Sequence, residues 1–178
     1  MKLPVNSRDP LLSAARIIVG LLMGLFILVG VLVMIGLGAI ATVQKNEVLG
    51  KLAAAGSGPM GYPSVLLVFA LIAALFAIAF LFMRELFRII GSVEEGDPFR
   101  RLNADRLRRM GWFTVAEQLI LFALAGIAAS FGGYRPALIA EDAMVAGTGA
   151  VILALILFIL ARVFRVGAEM RDELEGTV

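Results

Sequence analysis

The chain contains no cysteine and no histidine. Those two absences exclude disulfides, thiol nucleophiles, histidine general bases, Cys/His zinc sites and histidine-ligated haem together. Charge is scarce as well, at 17% of residues against roughly a quarter in soluble domains. A Walker loop, a nucleophile elbow and a zinc pair are all missing. The expectation is a protein that is not an enzyme, with no catalytic residue, no metal and no cofactor.

What remains is apolar. Of 178 residues 61% are hydrophobic, and the mean hydropathy is +0.96. A chain this short cannot bury that much apolar surface in a soluble core, so it reads as one unit dissolved in a bilayer. Four apolar runs, at about 17–43, 64–83, 112–131 and 143–160, are long enough to cross a hydrocarbon layer of about 30 Å as helices. Alternation is absent from them, which disfavours a barrel. The predicted fold is an all-α integral membrane protein of four transmembrane helices forming a single domain over 1–178. The first run is far longer than the roughly 7–15 apolar residues of a signal peptide, so it is expected to be a retained anchor despite Ala39-Ile40-Ala41.

Basic residues set the expected orientation. Thirteen of the sixteen lie at the amino end (Lys2, Arg8, Arg16), between the second and third spans (Arg84, Arg88, Arg100, Arg101, Arg106, Arg108, Arg109) or at the carboxyl end (Arg162, Arg165, Arg171). Lys45, Lys51 and Arg135 fall on the other side. The positive-inside rule then puts both termini, segment 84–111 and tail 161–178 in the cytoplasm. The outer loops are about 44–63, with Gly56-Ser57-Gly58-Pro59 as a turn signal, and 132–142. Small residues four apart (Gly20 and Gly24, Ala70 and Ala74, Ala125 and Ala129, Ala146 and Ala150) suit close helix packing in lipid.

The segment between spans two and three carries most of the information. Asp97 followed by Pro98 signals a helix start, with the carboxylate as cap. At 100° per residue Phe99, Leu102, Leu107, Met110 and Phe113 share one arc, which predicts an amphipathic cytoplasmic helix leading into the third span. Asn103 and Arg106 interrupt that arc and require partners. Two readings stand: a recognition site, or Asn103 bonding a nearby helix end while Arg106 snorkels to lipid phosphate. The tail is acidic (Glu169, Asp172, Glu173, Glu175), so tail and basic helix are expected to attract each other.

Gly96-Asp97-Pro98-Phe99, Asn103, Leu107 and Gly111-Trp112 resemble the central motif of the family called domain of unknown function 2975. Ala161-Arg162-Val163-Phe164-Arg165-Val166-Gly167, Glu169, Asp172-Glu173, Leu174 and Thr177-Val178 are similar to that family's carboxyl-terminal signature, with Gly176 as a departure. The resemblance implies a four-span bacterial inner-membrane protein. Members are often encoded beside a small helix-turn-helix protein, which implies such a protein as partner by association alone.

The favoured functional expectation is therefore a regulatory adaptor. Its motif residues (Gly96, Asp97, Pro98, Phe99, Asn103, Arg106, Leu107, Gly167, Glu169, Asp172, Glu173) would engage a soluble regulator, with lipid as the other partner and no direct nucleic-acid binding. The alternatives are a small homo-oligomeric transporter or channel, for which Glu117 in the third span is the candidate group, and a purely structural membrane-sensing bundle. Glu117 lies only about 8 Å along the helix from Trp112, where it is expected to meet water or to pair with Arg16 or Arg84.

Overall fold

The computed structural model describes residues 10–54, 61–130 and 136–175. They form five helices: α1 (Pro10–Thr42), α2 (Lys45–Ala54), α3 (Gly61–Glu94), α4 (Arg101–Ser130) and α5 (Pro136–Glu175). No strand occurs among the described residues. Four of the helices, all but α2, are long and apolar enough to cross a membrane. The Gly56-Ser57-Gly58-Pro59 turn, Lys2, Arg8, Arg135 and Gly176-Thr177-Val178 lie outside the described residues.

The helices outrun the apolar spans. α3 continues past Met83 to Glu94, and α5 continues past Leu160 to Glu175. The helix expected to lead into the third span forms the first turns of an unbroken α4. One break interrupts the chain between α3 and α4, and its chemistry is local. Gly96 sits at φ 76°, its N–H donates to Val93 O (3.0 Å), and Asp97 N–H donates to Ser92 O (3.1 Å). This is a Schellman ending, which a residue with a Cβ would strain. Pro98 then keeps Asp97 out of the helical region. α4 accordingly starts at Arg101, so Asp97 is not its N-cap.

Two loop expectations are also revised. Within the segment expected as an outer loop, Lys45–Ala54 is helical, supported by good helix formers and a Glu47–Lys51 pair at 2.7 Å. α5 begins at Pro136, inside the second expected loop, where a proline suits the first helical turn.

The long helices pack as a row. α1 lies on α3, α3 on α4, and α4 on α5. Among the described residues, α1 makes no backbone approach to α4 or α5, and α3 makes none to α5. An open arrangement of this kind leaves broad apolar faces for lipid, and Leu21, Ile35, Leu119 and Ile159 are each more than 60% exposed. An apolar groove of ≈ 670 Å³ opens sideways between α1 and α3, lined by Phe26, Gly30, Met34, Ala73, Phe76 and Phe80 among others.

Helix contacts are made by rings set against glycines. Gly30 faces Phe76 and Gly36 faces Phe69 across α1–α3. Across α4–α5 the fit is tighter, since a Cβ on Gly111 would lie 2.8 Å from Phe158 and one on Gly147 would lie 3.1 Å from Phe122. Gly24, one of the predicted small-residue positions, has nothing within 4 Å of where a Cβ would stand. A compact core of Leu107, Met110, Leu157 and Ala161, with Phe82, Leu86, Ile89 and Phe164 against it, holds α3, α4 and α5 together where the apolar spans give way to charge.

Candidate functional site at the charged end of the helices

The end of α3, the start of α4, the end of α5 and the start of α1 meet on one side of the molecule. The anchor of α1 is Arg16, which pairs with Glu94 and lies 4.9 Å over the Phe87 ring. The other three helices build two polar centres.

The first centre is Asn103, which is fully buried. Its Nδ2 donates to Ser92 Oγ (2.6 Å) and to Pro98 O (2.8 Å). Ser92 Oγ in turn donates to Ile89 O (2.7 Å). Arg106 Nη1 donates to Asn103 Oδ1 (2.9 Å) and to Arg88 O (3.0 Å). The amide is thus satisfied on both sides, as burial demands. Asn103 bonds the helix end, and Arg106 turns inward to the same network instead of extending toward lipid. The buried face of α4 runs through Asn103, Ala104, Leu107, Met110, Thr114 and Gln118, while Leu102 of the predicted apolar arc is 60% exposed. Polar partners on α3 therefore decide which face of α4 is buried.

The second centre is Glu85, also fully buried. Arg84 Nη2 and Arg109 Nη2 each stand 3.3 Å from its carboxylate, Arg88 Nη1 stands 3.6 Å away, and Arg106 Nε 4.0 Å. Sequence reasoning missed Glu85. The available signal was its isolation: it is the only acid between Glu47 and Glu94, and it falls among arginines at the end of an apolar run.

α5 closes the site. Phe99 packs on Gly167, where an added Cβ would lie 2.9 Å from the ring, and on Phe164 with centroids 5.2 Å apart. Trp112 meets Phe158 edge-on at 5.5 Å. Ion pairs join Arg101 to Asp172 (2.9 Å) and Arg165 to Asp105 (3.1 Å), and Arg171 to Asp97. The expected attraction between basic helix and acidic tail is present in the first pair; in the other two the tail supplies the base. Glu169 and Glu173 stay on the exposed side.

Asp97 spends its carboxylate on two guanidinium groups. Arg100 Nε bonds one oxygen at 2.8 Å and Arg171 takes the other. The Arg100 hydrogen bond, with the charge of Arg171 beside it, holds the Asp97 carboxyl below its usual pKa. A depressed carboxyl pKa stabilises the folded arrangement above the unfolded value, and that contribution is lost as pH falls through the folded value. Protection of the last turns of α5 in hydrogen exchange, corrected for intrinsic rates, should stay level down to about pH 4 and fall below it. In Asp97→Asn it should be low throughout. Equal protection in both proteins at every pH would show that the pairs hold nothing.

Glu117 is half-buried on α4, and no ion pair or hydrogen bond joins it to another described residue. The expected partners are engaged elsewhere, Arg16 by Glu94 and Arg84 by Glu85. Its neighbour Gln118 is buried against Gly147, with Nε2 lacking an acceptor.

Four long apolar helices ending in a shared, charged, ion-paired cap define a multi-pass membrane protein. The family model described as protein of unknown function, DUF2975, matches residues 49–178, and the chain belongs to that family. The match covers both motif blocks, 96–112 and 161–178, and the fold sets the first against the described part of the second. No curated protein and no solved structure matches the chain.

Proposed function

We propose that the chain is a regulatory adaptor rather than an enzyme. It sits in a bacterial inner membrane with both termini in the cytoplasm, and it docks a soluble regulator on its charged end. The observation that carries this reading is the joining of α4 and α5 there. Two motif blocks far apart in sequence are locked into one surface by Phe99 on Gly167 and by three ion pairs. Around that lock stand exposed groups of both kinds, Leu102 and Met170 at 60% exposure each and Arg108 with its side chain at 56%. Glu169 and Glu173 form an acidic edge suited to a basic partner, and a small helix-turn-helix protein, the association the family suggests, has that character.

The test is a mild-detergent pull-down from native membranes, comparing the natural chain with Glu169→Lys/Glu173→Lys. A small basic soluble protein should be captured by the first and lost by the second. Absence of any soluble partner from both would end the adaptor reading. A second reading, a small oligomeric transporter, draws on Glu117 and on the unsatisfied amide of Gln118; the open row gives such a path walls only between copies.

A further inference from the structure

We infer that the arginines around Glu85 bind the phosphate of an anionic phospholipid. One carboxylate faces four guanidinium groups within 4.0 Å, which leaves three positive charges without a counter-charge in that shell. Like charges held this close raise one another's energy, and an anion seated among them relieves it. The donors are in excess too. A guanidinium carries five N–H groups, and a carboxylate has about four acceptor positions. Arg106 turns one nitrogen inward to Arg88 O and Asn103 Oδ1. Arg84, Arg88 and Arg109 keep their side chains 38%, 47% and 50% exposed, so an anion can reach the cluster. Arg84 Nε has no acceptor at all.

Depth identifies the ligand. Arg84 is the first charge after the apolar run that ends at Met83, and Arg109 is the last before the run that begins at Trp112. The cluster therefore lies where hydrocarbon gives way to headgroups, at the level of lipid phosphate. Ordinary snorkelling sends each arginine outward independently. Here Glu85 draws arginines of two helices to one point and fixes their spacing, and forked donors at fixed spacing suit a phosphate's oxygens. The site differs from the α4–α5 docking surface, whose Arg101, Met170 and Asp172 lie farther along the chain from the apolar runs.

The experiment titrates the full-length protein in detergent with phosphatidylglycerol, phosphatidylcholine or inorganic phosphate, and counts bound ligand by native mass spectrometry. Phosphatidylglycerol should bind well above phosphatidylcholine, whose ammonium offsets the same phosphate. Arg84→Gln/Arg109→Gln should weaken phosphatidylglycerol roughly tenfold, while Arg101→Gln/Arg108→Gln, with the same loss of charge, should stay within about twofold. Arg84→Lys/Arg109→Lys guards against a folding defect: it keeps the charge and the thermal stability yet should still lose affinity, because lysine lacks the fork. Equal losses in the two glutamine variants, or equal binding of the two lipids, would overturn the site. Inorganic phosphate that binds as tightly as the lipid would overturn the assignment to a phospholipid.

Discussion

Glu85→Ala should destabilise the protein by about 3 kcal/mol, the lower end of what removing one partner of a buried ion pair costs. The carboxylate is wholly enclosed, but its partners are not: Arg84, Arg88 and Arg109 can regain water, which discounts the loss. Arg106, only 19% exposed, cannot regain water so easily. Glu85→Gln retains the shape and should cost less than alanine, though still more than a surface change. Unfolding by sodium dodecyl sulfate, followed by the fluorescence of the single tryptophan, reads this directly, since Trp112 rests on Phe158 across α4–α5. A shift below about 0.5 kcal/mol, the size of a typical surface substitution, would show that Glu85 does not hold α3 to α4.

The second large effect is expected at Asn103. Replacement by leucine, close in size, removes two donated hydrogen bonds and the one accepted from Arg106. Pro98 O and a guanidinium N–H, both part-buried, then lose their partner, at a cost of about 1–3 kcal/mol. Asn103→Asp is the sharper comparison. It keeps an acceptor for Arg106, but it sets a carboxylate oxygen against Pro98 O, so it should also destabilise. Thermal unfolding in detergent measures both. If the aspartate variant matched the natural protein, the bonds to Ser92 Oγ and Pro98 O would not be what orders the α3–α4 turn.

Much of the architecture is legible from hydropathy alone, because an apolar run of twenty residues has few other destinations. The turn between α3 and α4 is legible too: Gly96 and Pro98 punctuate the chain there. The face of α4 is legible in part: Leu107 and Met110 of the predicted arc are buried, but Leu102 is exposed. A wheel ranks residues by polarity, and on it Asn103 is an intruder on an apolar arc. In the folded chain its partners come from Ser92 and Pro98, which no periodicity reveals, so the polar residue sets the buried face and Leu102 turns outward. Glu85 is not legible in the same way, because the sequence shows its arginines only as separate charges that set topology. Their convergence depends on α3 and α4 crossing at that point. Of the paired glycines, a Cβ on Gly20 would meet Phe87 at 3.9 Å and one on Gly24 would meet nothing within 4 Å. Small residues four apart suggest backbone against backbone, whereas the close approaches here seat a phenylalanine ring on a single glycine, as at Gly111 and Gly167.

The continuity of α5 gives the molecule a mechanical property. Its 40 residues make a rod of about 60 Å, roughly twice the hydrocarbon thickness, with no break between span and tail. A rod cannot tilt at one end alone. Should the bilayer thin enough to tilt the span by about 10°, a point about 30 Å from the middle of the span would swing by about 5 Å. Met170 and Glu173 ride near that tip, so bilayer thickness and the position of the exposed surface are geared together by the stiffness of one helix.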